Sequence, residues 1–130
     1  MTNTISVRAS KLTGADASQP KRVYLSGPMT GLPDFNYPAF NDAAFELRSV
    51  YGLHVENPAE SPVPPCGSWL GYMRMAVAQI AKVDYFVTLP GWEESRGAKV
   101  EVELARGLGL PVYPLSTFLR MADTWLPKIA

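Results

Sequence analysis

The residues best placed for chemistry stand where an apolar strand gives way to a helix. The segment from Val83 to Val112 reads VDYFVTLPGWEESRGAKVEVELARGLGLPV, with a strand that stops at Pro90-Gly91 and a helix that carries Glu101. Open α/β sheets bind ligands at such junctions, and the N–H groups of a helix start favour an anion, phosphate above all. The small Gly97 and Ala98 would let a ligand approach, and the Glu101 side chain would point back toward it. The segment therefore predicts a small-molecule site.

Glu101 also has a simpler interpretation as part of a solvated helix face. Lys99, Glu103 and Arg106 lie near it in sequence and could form ion pairs three or four residues apart, as most helical carboxylates do. Glu103 is two residues further on, roughly 200° around the helix axis, so it cannot share a site with Glu101. We assign Glu103 to the surface or to an interface.

A second strand-to-loop junction lies at Ser26-Gly27-Pro28-Met29-Thr30-Gly31. It has neither the G-x-G-x-x-G spacing of a dinucleotide site nor the Lys-Ser/Thr of a Walker A loop. It offers a tight turn whose backbone and small side chains can approach a ligand. A plain strand-to-helix turn explains the same spacing equally well.

The remaining polar candidates favour structural roles. Asp84 lies early in its strand, away from the end that would face a ligand, which predicts capping or bonding to a neighbouring loop. His54 is the only histidine, which argues against a histidine-based triad and against a dyad with Cys66. The chain has too few ligands for a zinc site.

The composition of the chain argues against some classes of binding partner. Twelve basic and twelve acidic residues cancel with no basic stripe, so a nucleic-acid polymer is not expected, although a mononucleotide needs only a pocket. The single cysteine excludes an intrachain disulfide and fits a reducing cytoplasm. No apolar run approaches the roughly 20 residues of a membrane helix, and the N-terminus lacks the apolar core of a signal peptide.

The order of elements predicts an α/β fold, a Rossmann-like or flavodoxin-like parallel sheet of four to five strands with helices on both faces. Residues 1–20 are expected to be a flexible arm, or one that docks on a partner subunit, and residues 21–130 a single domain. Asn36 and Ser116 are candidate caps of the first and last helices. We expect strands at 23–26, 53–56, 83–89 and 111–113, and helices at 37–51, 69–82, 98–108 and 116–125.

The motifs Tyr24–Met29, Asp84, Leu89–Trp92, Ser95–Ala98 and Glu101, in this order and spacing, resemble the nucleoside 2-deoxyribosyltransferase-like superfamily. Within it the chain is most similar to small, uncharacterised phage and bacterial proteins. The resemblance implies a five-stranded Rossmann-like sheet and cleavage of the N-glycosidic bond of 2′-deoxynucleosides or their 5′-monophosphates. It implies no metal or organic cofactor.

The resemblance also implies roles for particular residues. Glu101 stands in the G-x-x-x-E-x-x-x-A context of the catalytic nucleophile. Ser95 matches the nucleotide hydrolases of the superfamily and, with Arg96 and Gly97, would hold a 5′-phosphate. The residues expected on the sugar or base side are Ser26, Gly27, Pro28 and Met29. Trp92 is a further candidate because of its place in the loop beside the site, apart from the resemblance.

One position departs from the superfamily. Active members usually carry an aspartate where this chain has Ala76, and that aspartate places the sugar or protonates the base. Either Asp34 or another group performs the function of the missing aspartate, or the protein is a non-catalytic module that binds or senses a nucleotide. A third interpretation is a structural or interaction protein that keeps the fold and has lost the site.

A homodimer or larger homo-oligomer is the assembly that the resemblance implies. The helix Trp69–Ile80, with Tyr72 and Met75, is the candidate interface. Trp69 and Tyr72 are accordingly expected in core or interface contacts rather than as base-stacking platforms.

Overall fold

In the described part of the chain, four parallel strands form the centre of the fold. The structure is a computed structural model that describes residues 21–65 and 67–128, so the predicted arm at 1–20 lies outside the described residues. The strands are β1 (Arg22–Ser26), β2 (His54–Glu56), β3 (Tyr85–Thr88) and β4 (Val112–Pro114), in the sheet order β2-β1-β3-β4. This confirms the predicted α/β class.

Helices cover both faces of the sheet. Among the described helices, none is long and apolar enough to cross a membrane. Short 3₁₀ helices lie in the loops at Pro33–Asn36, Pro58–Glu60 and Trp92–Glu94, which the sequence patterns did not predict. The α-helices are α1 (Tyr37–Tyr51), α2 (Trp69–Ile80), α3 (Arg96–Gly107) and α4 (Leu115–Trp125).

Alternate side chains of strand β1 point to opposite faces of the sheet, and each set belongs to a separate hydrophobic core. Val23 and Leu25 point to one face, where they pack with residues of α1 and α4; we call this the α1/α4 face. Tyr24 points to the opposite face and packs with residues of α2 and α3, which we call the α2/α3 face. Tyr24 also stacks on Phe86 of β3, with ring centroids 5.5 Å apart. A strand buried on both faces is typical of a parallel sheet.

The ends of two helices differ from the prediction. Asn36 occupies the N-cap position of α1 but its side chain makes no cap; its Nδ2 instead donates to the Pro28 carbonyl at 3.0 Å. Helix α4 begins at Leu115, after Pro114, so Ser116 lies within the helix and does not cap it. The predicted capping roles of Asn36 and Ser116 are therefore wrong, because Asn36 is left-handed with its side chain hydrogen-bonded to Pro28, and because Pro114 occupies the N-cap position of α4.

Asp84 has the structural role that its position predicted. Its Oδ2 accepts a hydrogen bond from the backbone N–H of Arg22 at 2.9 Å. This bond joins the segment just before β3 to the first residue of β1, at the end of the sheet away from the site described below. Asp84 thus helps to align the two central strands.

Candidate functional site

The carboxyl ends of β1 and β3 meet at the point where the strand order reverses. In a doubly wound sheet this switch point opens a crevice in which ligands bind. Here the two chain segments come very close, since a Cβ added to Gly27 would lie 2.9 Å from the Cβ of Leu89. The N–H of Leu89 also donates to the carbonyl of Ser26 at 2.8 Å. Gly27 therefore keeps the strand ends together at the floor of the crevice.

A cavity of about 260 Å³ opens at this crevice, on the α2/α3 face. Its walls come from the loop after β1, the start of α1, the segment after β2, helix α2 and the first turns of α3. Most of the wall is apolar or aromatic, with a few polar groups, as is usual for small-molecule sites. The polar side chains among the described lining residues include Thr30, Ser61, Gln79, Ser95 and Glu101.

Glu101 is held in this cavity by two hydroxyl groups of β1. Its Oε1 accepts a hydrogen bond from Ser26 Oγ at 2.6 Å, and its Oε2 accepts one from the Tyr24 hydroxyl at 2.9 Å. Residues 24 and 26 project to the same face because side chains alternate along a strand. Glu101 as a residue is 9% exposed and lines the cavity, so the two β1 hydroxyls fix the orientation of its carboxylate beside that space.

The electrostatic environment of Glu101 is unusual for a helical carboxylate. Burial raises the pKa of Glu101, and the hydrogen bonds from Ser26 and Tyr24 oppose that rise. Burial and the nearby negative charge of Glu101 raise the pKa of Tyr24 well above its ordinary value, so its hydroxyl stays a donor. Within the described residues no lysine or arginine forms an ion pair with Glu101. A buried carboxylate without a cation costs stability, and such groups concentrate at functional sites.

The N-terminus of α3 lies in the wall of the same cavity. Ser95 is its N-cap, and its Oγ accepts the N–H of Ala98 at 3.1 Å. The cap leaves the first N–H groups of the helix, those of Arg96 and Gly97, without partners inside the helix. A Cβ added to Gly97 would meet Met73 and Trp69 at 3.5 and 3.6 Å, which is ordinary contact, so glycine here leaves extra room in the cavity.

Arg96 lies beside this helix start and contacts α2. Its guanidinium carbon is 3.8 Å from the centroid of the Trp69 ring, a cation–π contact. Trp69 lines the cavity and is 38% exposed, which puts the pair at the mouth of the cavity. Arg96 is thus a cation near the free N–H groups of α3.

The structure brings most of the predicted site residues together. Gly27, Met29, Ser95 and Gly97 line the cavity with Glu101, and Ser26 reaches it through its bond to the carboxylate. Pro28 supports the site from behind: its carbonyl accepts Nδ2 of Asn36, and its ring lies 3.2 Å from where a Cβ of Gly91 would be.

One aromatic residue, Trp92, lies elsewhere than expected. Trp92 is not among the lining residues of the Glu101 cavity; it packs against the core of the α2/α3 face. Gly91, with φ 89°, turns the chain away from the cavity before Trp92. Trp69 and Tyr72 line the cavity, and Met75, predicted at an interface, lines it as well.

Sequence reasoning missed other members of the wall. Along α2, residues 69, 72, 76 and 79 follow helical spacing and all line the cavity, so this stripe was a usable signal. Phe35 and Tyr37 were not detectable in this way, because residues 34–36 adopt a left-handed conformation with φ between 51° and 59°. Such a run of non-glycine residues has no simple sequence pattern.

Ala76 faces the cavity and is buried, at the position where the resemblance expects an aspartate. Asp34 is exposed and is not one of the lining residues, although its neighbour Phe35 is. Of the described residues that line the cavity, Glu101 is the one that carries a carboxyl group. Within residues 21–65 and 67–128, no second acid therefore lines the cavity with Glu101.

The chain belongs to the family described as Domain of unknown function (DUF4406), whose model matches residues 21–114. That range begins just before β1 and ends at the last residue of β4, so it contains every cavity-lining element described above. No curated protein and no solved structure shows a significant match to the chain.

Proposed function

We propose that this DUF4406 protein cleaves the N-glycosidic bond of a (deoxy)nucleoside 5′-monophosphate, with Glu101 as the nucleophile. One observation carries the proposal: a buried carboxylate without a cation is oriented by two β1 hydroxyls and faces a cavity at the switch point of the sheet. An arrangement that costs stability and leaves a nucleophile facing a ligand-sized space supports catalysis better than a structural role.

The chemistry requires a carboxylate on one face of the sugar. An oxygen of Glu101 attacks C1′ as positive charge develops there, the C1′–N bond breaks, and the base leaves with the bonding electron pair and takes up a proton from solvent. Water, or a second base, then attacks C1′ and gives up a proton to solvent, and the glycosyl ester breaks to restore the carboxylate. Each Glu101 oxygen accepts one hydrogen bond from β1 and keeps a further lone pair for this attack.

The start of α3 supports a phosphate on the substrate. The N–H groups of Arg96 and Gly97 and the hydroxyl of Ser95 lie in or beside the cavity wall. An anion at a helix N-terminus is stabilised by these groups and by the helix dipole. The Arg96 guanidinium, over Trp69 at the mouth, adds a positive charge within reach of the same region.

The test is a chromatographic assay for free base with each common and modified nucleoside 5′-monophosphate. We expect Glu101→Gln to lower the rate of base release on the order of a thousandfold or more, as loss of a nucleophile does. Glu103→Gln is the matched control, because Glu103 lies on the same helix and is exposed. Release by the Glu101→Gln variant at the wild-type rate would contradict the proposal.

A second candidate function is a non-catalytic nucleotide-binding or sensing module, and Ala76 is the observation that favours it. With a methyl group in the cavity wall where an aspartate is expected, the described lining residues offer no second carboxyl to protonate the leaving base. Ala76→Asp separates the candidates: a catalyst that lacks only this acid should gain roughly a hundredfold or more in base release. A module that binds nucleotide would show no release in either form and would keep its affinity in Glu101→Gln.

A further inference from the structure

Gln79 and Ser61 form a polar pair in the cavity wall that the proposed chemistry does not use. Both side chains line the cavity and are partly buried. Nε2 of Gln79 donates a hydrogen bond to Oγ of Ser61 at 3.3 Å. The pair joins helix α2 to the segment that follows β2, and it faces the same space as Glu101.

The sheet order places this pair on the opposite side of Glu101 from the helix start of α3. Ser61 follows β2, the carboxylate of Glu101 is bonded to β1, and Ser95–Gly97 follow β3. Because the strands are ordered β2-β1-β3, the cavity runs from the amide and hydroxyl pair, past the carboxylate, to the N–H groups of α3. A nucleotide has the same order of parts: base, C1′ of the sugar, and phosphate.

The hydrogen-bonding capacity of the pair fits the edge of a base. Gln79 uses Nε2 on Ser61, so its Oε1 remains an acceptor, and within the described residues no group donates to that oxygen. Ser61 accepts with Oγ and keeps its own O–H to donate. The pair therefore presents one acceptor beside one donor, and base edges carry complementary donor and acceptor groups that amide side chains recognise.

We infer that Gln79, supported by Ser61, binds the edge of the nucleobase and determines which base is accepted. This inference rests on the proposed function, because it assumes that a nucleotide occupies the cavity with C1′ at Glu101. Met75, one turn before Gln79, and Pro58 also line the cavity and offer apolar contacts for the ring. The competing explanation is that the pair only ties the loop after β2 to α2.

The experiment measures binding by calorimetry in the Glu101→Gln background, so that turnover does not interfere. The ligands are the deoxynucleoside 5′-monophosphates and, as a probe without a base, 2-deoxyribose 5-phosphate. We expect Gln79→Met, which keeps the length of the side chain, to weaken nucleotide binding about tenfold, the effect of one or two lost hydrogen bonds. Binding of the sugar phosphate should stay within about twofold. Arg74→Met, an exposed change on the same helix, is the control.

A second variant tests selectivity rather than affinity. In Gln79→Glu the carboxylate would accept the O–H of Ser61, so the pair would present acceptors alone and the ranking of the bases should shift toward those that carry an amino group. Equal weakening of the nucleotides and the sugar phosphate by Gln79→Met would overturn the inference in favour of the loop-tying role, and unchanged binding of both would overturn it outright. A Glu101→Gln protein that binds no nucleotide and no sugar phosphate would refute the proposed function itself.

Discussion

The two faces of the sheet use the same strands for different purposes. On the α1/α4 face, Val23 and Leu25 of β1 pack into an apolar cluster that is buried throughout. On the α2/α3 face, Tyr24 and Ser26 of the same strand donate hydrogen bonds to a buried carboxylate, and a cavity opens beside it. Both faces therefore have an apolar core, but the α2/α3 face also holds a buried charge that stability alone would not favour.

The aromatic residues show the same division. Phe118 of α4 is fully buried and packs against the rings of Tyr85, Tyr113 and Trp125, with centroids 5.4 to 6.3 Å apart. On the other face, Trp69 and Tyr72 line the cavity and are 38% and 41% exposed. The first group closes the core, and the second is free to contact a ligand.

The largest expected effect is on the free energy of unfolding, when a buried side chain is truncated on each face of the sheet in turn. Leu47→Ala on α1 should lower the free energy of unfolding by about 3 kcal/mol, because Leu47 is fully buried and its loss leaves a void. Met73→Ala on α2 should cost about 2 kcal/mol, since Met73 is buried but already borders the cavity, so its removal enlarges an existing space. Urea denaturation measures both values, and equal costs would show that the two faces do not differ in this way.

A smaller effect is expected when a hydrogen bond from β1 to Glu101 is removed. Tyr24→Phe removes one of the two hydrogen bonds to Glu101, each worth about 2 kcal/mol to a charged group. The pKa of Glu101 should then rise further, so the acid limb of the base-release profile should move to higher pH and the rate at neutral pH should fall on the order of tenfold. The control is Tyr51→Phe, which loses a bond to Asp123 on the other face. A Tyr24→Phe profile that superimposes on that of the control would exclude the positioning role.

The smallest effect concerns stability and pH. The folded-state pKa of Glu101 is raised by burial, so its ionisation opposes folding, and stability falls as the pH rises from the unfolded-state pKa through the folded-state pKa. Glu101→Gln removes this penalty and should raise the free energy of unfolding at neutral pH on the order of 1 kcal/mol, with little gain in acid. Thermal melts at several pH values measure the difference. An equal gain at all pH values, or the same trend in Glu103→Gln, would argue against the penalty.

The sequence patterns predicted the sheet and the position of Glu101 at a cavity for clear physical reasons. Strand β3 is apolar and ends at a Pro-Gly turn, and Glu101 follows at helical spacing from a glycine-containing helix start, so both signals are local. The position of Trp92 depends instead on the left-handed turn at Gly91, and that of Phe35 on the left-handed run before α1. Such backbone turns decide the direction of a side chain, and no periodicity in the sequence encodes them.

The alternation of β1 also constrains how this family can diverge. Because side chains on a strand have a period of two, inserting or deleting one residue in Val23–Ser26 would exchange the two faces. Val23 and Leu25 would then point at Glu101, and Tyr24 and Ser26 into the apolar cluster. Core and site would be lost in one step, so related proteins should vary at these positions by substitution and keep the length of β1 unchanged.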